Sequence, residues 1–151
     1  MRKKLFSVLT VLSCSLFLIT GCGKSNVRYM DGTYEGKSEL YSNEDEEAAG
    51  NGYGVVTITI KDQKIADCTF ETYDLDGVLK DENYGKEGEE ISNRDYYNKA
   101  QKAVAACTEY AELLVQSGNI DQVDAISGAT INYNQFQEAV DHALEQAKIK
   151  E

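Results

Sequence analysis

Proline and tryptophan are absent from these 151 residues, and histidine occurs once. With a single His and no Cys-x-x-Cys pair, a zinc site lacks its ligands. Basic residues are scarce: 15 Lys plus Arg stand against 26 Asp plus Glu, a net charge of -11. That balance argues against nucleic acid as a partner, because such binding depends on neutralising phosphates with Lys and Arg. It argues equally against an electrostatic hold on an anionic membrane surface. Ten Tyr supply most of the aromatic content, so a flat ligand would meet Tyr rings. What is present suits one globular domain, at 42% hydrophobic and 27% charged residues. A chain of this length buries about two thirds of the surface it exposes unfolded.

The first residues read as an address and an anchor. Arg2, Lys3 and Lys4 precede an uncharged, mostly apolar run from Leu5 to Ile19. That run is shorter than the roughly 20 residues a membrane span needs, and its pattern is that of an export signal. It ends in Ile19-Thr20-Gly21-Cys22, which resembles the bacterial lipobox, whose Cys is lipidated and becomes the new N-terminus. The expected organisation is therefore a signal peptide over 1–21, a lipidated tether over 22–30 starting at Cys22, and a domain over 31–151. Removing three basic residues and no acidic ones takes the charge from -11 to -14. Lipid chains would hold this acidic body on the outer face of the cell membrane.

Outside the cell, disulfides are permitted. Cys68 and Cys107 remain in the folded part, as two buried thiols or as a disulfide. Spacing alone leaves both open.

The domain opens at Asp31-Gly32-Thr33-Tyr34-Glu35-Gly36, with a strand beginning at Thr33. Glu44 to Glu47 is a solvated acidic loop. Tyr53 to Lys61 alternates, with Val56, Ile58 and Ile60 on one face and Thr57, Thr59 and Lys61 on the other. Asp62-Gln63-Lys64 is a turn. Ile65 to Tyr73 forms the partner strand, with Ala66, Cys68, Phe70 and Thr72 sharing one parity, so this part of the sheet is antiparallel. In Asp74 to Glu90, Asp74-Leu75-Asp76-Gly77 fails the calcium-loop template because its Gly comes too early. It reads as a turn. Ser92 and Asp95 suggest a capping box for a helix running to about Gln116, with Gly118 at its end. Tyr97, Ala100, Val104, Cys107, Ala111 and Leu114 mark its core stripe. Ile120 to Ile126 reads as extended. A last helix begins at about Asn132 or Asn134, with Phe136, Val140, Ala143 and Leu144 on one face and His142 off it. The fold class is α+β: a single domain with an antiparallel sheet packed against two main helices.

One segment carries chemistry. Asp124-Ala125-Ile126-Ser127-Gly128-Ala129-Thr130 joins the extended piece to the last helix. Gly128 permits a tight turn and close approach to the backbone. Thr130 presents a hydroxyl near the free N–H groups of a helix start, a place that favours phosphate. Such a terminus contributes only about 0.3–1 kcal/mol when exposed. An acidic, outward-facing body would therefore hold a reversible phosphate ligand weakly. Covalent attachment through the Thr130 hydroxyl removes that difficulty.

The heptapeptide resembles the flavinylation motif of the FMN-binding domain family: Asp, two variable residues, Ser or Thr, Gly, a small residue, Thr. That family includes subunits of the sodium-pumping NADH:quinone reductase and of the Rnf complex, and lipoproteins called major membrane immunogens. The resemblance implies that Thr130 accepts FMN as a phosphoester, an FMN phosphoryl threonine. Asp124, Ser127, Gly128 and Ala129 would complete the sequence read by a flavin transferase, which takes FMN from FAD with magnesium. After Thr130 the chain continues Ile131-Asn132-Tyr133-Asn134, whereas the respiratory subunits more often continue with Ser and Gly. The implied role is an electron-transfer relay between a membrane electron donor and an extracellular acceptor or reductase, a carrier rather than an enzyme. Tyr96, Tyr97 and Tyr133 are candidates either to pack on the flavin ring or to fill the core. Two other readings stand beside the relay. One is a non-redox surface lipoprotein using its acidic loops for binding or adhesion; the other is a flavin-dependent reductase of a small external substrate.

Overall fold

The computed structural model describes residues 27–43 and 49–150. Cys22, the export signal and the acidic run from Glu44 to Glu47 lie outside them.

Three strands form one antiparallel sheet in the order β1 (Gly32–Lys37), β2 (Tyr53–Lys61), β3 (Lys64–Tyr73). The alternation in β2 does what the sequence predicts: Val56, Ile58 and Ile60 are buried, while the residues between them are half-buried. Asp62 and Gln63 close the hairpin with φ of 53° and 64°, the left-handed pair that a two-residue turn of the right twist demands. In β3 the expected parity holds for Cys68, Phe70 and Thr72 but not for Ala66, which is exposed. Ile60 pairs with Ile65 and Thr59 with Asp67, so a bulge leaves Ala66 unpaired and turns Ile65 toward the core.

Both helices lie against the sheet. The first, α1 (Arg94–Ser117), packs on β3; the second, α2 (Thr130–Ala147), packs on β1 and β2. The α+β expectation of a single domain with an antiparallel sheet and two main helices is met. The cap of α1 is Asn93, whose side chain accepts from the Tyr96 N–H; Ser92 instead donates to Glu87. Asn is among the best capping residues and leaves the first helical turn one residue later than a Ser92 cap would. Gly118 ends the helix at φ 66°, as expected. Ile120–Gln122 is a turn of 3-10 helix rather than extended chain, held by the Asn119 side chain accepting from the Asp121 N–H. The Asp74 carboxylate accepts from the Asp76 and Val78 N–H groups, and Gly77 sits at φ 81°, which makes this segment the expected turn.

The core is dense around Tyr110 and Phe136, both fully buried, with ring centroids 5.6 Å apart; Phe70 lies 4.9 Å from Phe136. Cys68 and Cys107 are both buried free thiols. Burial pushes the Cys68 thiol up to about 12, with Asp67 adding to the effect. At neutral pH it is a small hydrophobe rather than a nucleophile.

The loop before β2 is clasped from two sides. Lys80, only 5% exposed, donates to the carbonyls of Ala49 (3.1 Å) and Asn51 (2.6 Å). Gln135 of α2 donates to those of Gly50 (3.2 Å) and Gly52 (3.0 Å). Four successive carbonyls are thereby held, alternately from each side. Burial lowers the Lys80 ammonium to about 8, against smaller opposing effects of Cys107 and Asp74. The folded chain therefore loses this proton near pH 8, whereas the unfolded chain keeps it to about 10.4. Between those values the unfolded state binds more protons, and stability rises with pH. From pH 8 to 9, the urea midpoint of the wild type is expected to rise relative to that of Lys80→Met. The raised thiols Cys68 and Cys107 ionise first in the unfolded chain and lower the absolute stability of both proteins above about pH 8.5, so the comparison with Lys80→Met isolates the lysine.

Candidate functional site

The candidate site is the turn that feeds α2. Ile126 to Ala129 closes through the Ala129 N–H donating to the Ile126 carbonyl at 3.0 Å. Gly128 stands at φ 83°, where a side chain would be strained. One buried hydroxyl fixes both ends of this turn. Tyr110 accepts from the Ile126 N–H at 2.8 Å and donates to the Ala129 carbonyl at 3.2 Å. Just upstream, the Tyr133 hydroxyl donates to the Val123 carbonyl at 2.7 Å. The segment is thus pinned to the core from beneath while its outer surface stays open.

Ala129 is 3% exposed and packs in the core; Asp124, Ser127, Gly128 and Thr130 are exposed. Thr130 is the first residue of α2, earlier than the expected start at Asn132 or Asn134. Ala129 stands at the cap position, and no side chain caps the helix. The N–H groups of its first turn are left to solvent or ligand. No acidic residue occupies that turn, so nothing cancels the positive end of the helix dipole.

A positive side chain joins it from α1. An ideal Cβ built on Gly128 would lie 3.1 Å from the Lys102 Nζ and 3.3 Å from its Cδ and Cε. The lysine lies across the turn in space that only glycine leaves free. Sequence reasoning missed Lys102 and Tyr110 because both come from another helix. Tyr110 lies beside the stripe read from the sequence, between Cys107 and Ala111, and its hydroxyl bonds leave no trace in the spacing. An exposed Thr hydroxyl, an uncapped helix start and a neighbouring ammonium together fit a phosphate ester.

Of the aromatic candidates, Tyr133 packs against Tyr110 at 5.6 Å and Tyr97 donates to the Glu82 carbonyl. Tyr96 lies 6.4 Å from Tyr84 and lines a cleft of about 440 Å³ with Val78, Leu79 and Tyr84. A second groove of about 150 Å³ runs beside the first turns of α2, lined by Leu40, Tyr41, Ile131, Asn134 and Gln135 with Glu39 and Glu138. His142 is exposed, and its Nδ1 lies 2.6 Å from the Lys37 carbonyl oxygen. Among the described residues no group of three or more His, Cys, Asp or Glu could hold a metal, and no helix is long and apolar enough to cross a membrane.

Fold and site define a small α+β domain that offers a threonine hydroxyl at a helix start. The sequence model of the FMN-binding domain matches residues 49–145, and the chain belongs to that family. It is a flavin-binding domain with FMN as its cofactor. The β1 strand precedes the matched stretch yet pairs along its whole length with β2. No curated protein matches the chain. A Clostridium perfringens protein solved by crystallography is similar at 18% identity over 79% of this chain and 88% of that one, with a TM-score of 0.56. A Clostridium thermocellum protein solved by NMR is 23% identical over 80% of this chain and 94% of its own, with a TM-score of 0.41. The first of these shares the fold.

Proposed function

We propose that the protein is a lipid-anchored, outward-facing flavoprotein. In this reading it carries FMN as a phosphoester on Thr130 and passes electrons from a membrane donor to an external acceptor or reductase. The observation that carries the reading is the exposed Thr130 hydroxyl at the uncapped, acid-free start of α2, inside a complete flavinylation motif. Loading forms one bond, from the Thr130 oxygen to the FMN phosphorus of FAD, and breaks the pyrophosphate bond. AMP leaves, and the hydroxyl proton passes to a base of the flavin transferase. The redox chemistry is then the flavin's own; the protein supplies position and surroundings. The lipid on Cys22 keeps the domain at the membrane. Asp124 and Ser127, both exposed, remain open to the transferase.

Lys102 gives the reading a graded test. Its ammonium lies over Gly128 and supplies positive charge where the phosphate must come. Intact-mass time courses with purified transferase and FAD should show Lys102→Met loading more slowly by about twofold to fivefold, what one exposed charged contact contributes. Lys102→Arg should load at close to the wild-type rate. Equal rates for all three proteins would remove Lys102 from the site.

A further inference from the structure

We propose that the turn Leu75–Leu79 and the acidic loop that follows it form a docking surface for a protein electron carrier with a basic rim around its redox centre. The inference rests on the lipid at Cys22 and the flavin on Thr130. It adds which end of the domain meets the partner and what that partner must carry.

The domain has two poles. At one of them the chain from Cys22 enters. The Tyr29 N–H donates to the Gln63 side-chain oxygen at 3.0 Å, in the β2–β3 turn, and the Met30 N–H donates to the Ala147 carbonyl at 2.8 Å, at the end of α2. Thr130 starts that helix of 18 residues, about 25 Å away. The nine residues of β2 give the same measure, about 27 Å from Lys61 beside the turn to Tyr53. From Tyr53 the path to the proposed surface is short. Tyr53 pairs with Tyr73, and Tyr73 bridges to Leu79. Lys80 holds the carbonyls of Ala49 and Asn51, and a Cβ on Gly50 between them would lie 2.5 Å from the Ile131 side chain. The surface and Thr130 therefore share the pole opposite the entry.

This placement excludes the bilayer as the occupant. Arg28 is six residues after Cys22, and six extended residues span at most about 22 Å. Pressing the Thr130 pole onto the bilayer would lift Tyr29 by about 25 Å or more, since the loops beyond Thr130 add to the length of α2. The exposed apolar side chains sort by pole in the same way. Among the described residues nine large ones are exposed. Val27, Met30 and Ile149 flank the entry, on the side of the bilayer. The other six are in residues 40–41, 75–79 and 91, at the pole the bilayer does not reach.

The chemistry of the surface selects its partner. Leu75 is 48%, Val78 61% and Leu79 42% exposed. The Asp74 carboxylate, accepting from the Asp76 and Val78 N–H groups, fixes the turn that holds them out. Apolar side chains clustered in this way and rimmed by charge mark an interaction site. The rim is acidic: residues 74–91 hold seven Asp and Glu against Lys86 and the buried Lys80. A second copy would bring the same acids and be repelled. A basic-rimmed carrier is attracted, which speeds encounter, and a brief electron-transfer contact needs little buried area.

Ferric cytochrome c, a soluble haem protein whose haem edge is ringed by lysines, is the probe. The full lipoprotein, loaded and checked by intact mass, is placed in phosphatidylcholine vesicles and its flavin is reduced. Each reduced flavin gives one electron to each of two haems and releases two protons. The stopped-flow rate at low salt should fall about threefold or more in Leu75→Ser with Val78→Ser, and likewise in Glu87→Gln with Glu89→Gln and Glu90→Gln. Met30→Ser at the entry pole should match the wild type. Oxidation by benzoquinone, small and neutral, should run equally fast in all four proteins. Carbodiimide cross-linking gives a readout without the flavin: the cytochrome lysines should couple to carboxylates of residues 74–90 rather than to Asp141 and Glu145 near the entry. A missing FMN increment would refute the Thr130 reading and leave the cross-links to decide the surface. Cross-links spread evenly over both poles, or equal cytochrome rates in all four proteins, would overturn the docking surface. So would a dimer in sedimentation that Leu75→Ser with Val78→Ser abolishes, which would assign the surface to a second copy.

Discussion

Thr130→Ala, coexpressed with an active flavin transferase, is expected to yield colourless protein whose intact mass lacks the FMN increment entirely. The loss is all-or-none because the bond needs one particular oxygen. The fold should not notice. Thr130 is exposed at the first position of α2 and its side chain caps nothing, so the unfolding free energy should stay within about 0.5 kcal/mol of the wild type. Thr130→Ser keeps the hydroxyl and should still load. Flavin that stays with the Ala variant through denaturation would show the attachment to be elsewhere.

The second large effect lies at the far side of the same helix. Gly36 of β1 faces α2 so closely that a Cβ there would lie 1.9 Å from the Ala139 carbonyl oxygen and 2.6 Å from the Ala143 nitrogen. These are backbone atoms, which cannot swing aside as a long side chain can. Ala139 and Ala143 are themselves fully buried, so the helix meets β1 at Gly36 on small residues. Gly36→Ala must push α2 off β1. The expected loss is about 3 kcal/mol or more, a large part of the stability of an ordinary domain. Urea unfolding with Gly88→Ala as control separates the causes. Gly88, at φ 65°, has nothing near its missing Cβ and should cost only about 1–2 kcal/mol of backbone strain. Equal losses in the two variants would contradict the account of the helix–sheet contact.

The two predictions bracket what the sequence reveals. The alternation of Val56, Ile58 and Ile60 announces a half-buried strand because burial there depends only on period. The motif from Asp124 to Thr130 is legible for a similar reason, since its residue types lie side by side in the chain. What escaped is whatever depends on a second element. The bulge that exposes Ala66 arises from pairing with β2, and β3 alone carries no sign of it. Asn93 displaces Ser92 as the cap of α1, since either residue has the chemistry and only the chain path chooses. The start of α2 at Thr130 was invisible because Ala129 bears no capping group, so the usual signal is missing where the helix end is left open. The clasp of Lys80 and Gln135 on residues 49–52 joins three distant stretches. Lys80 looked like one more charge in a loop rich in acids; its burial follows from the carbonyls that receive it.

Peptide mapping of the protein taken from its own membranes is the most direct measurement. The account predicts that the peptide containing Thr130 carries one FMN, on that side chain. The same peptide recovered bare, from cells whose flavin transferase is demonstrably loading other proteins, would contradict it.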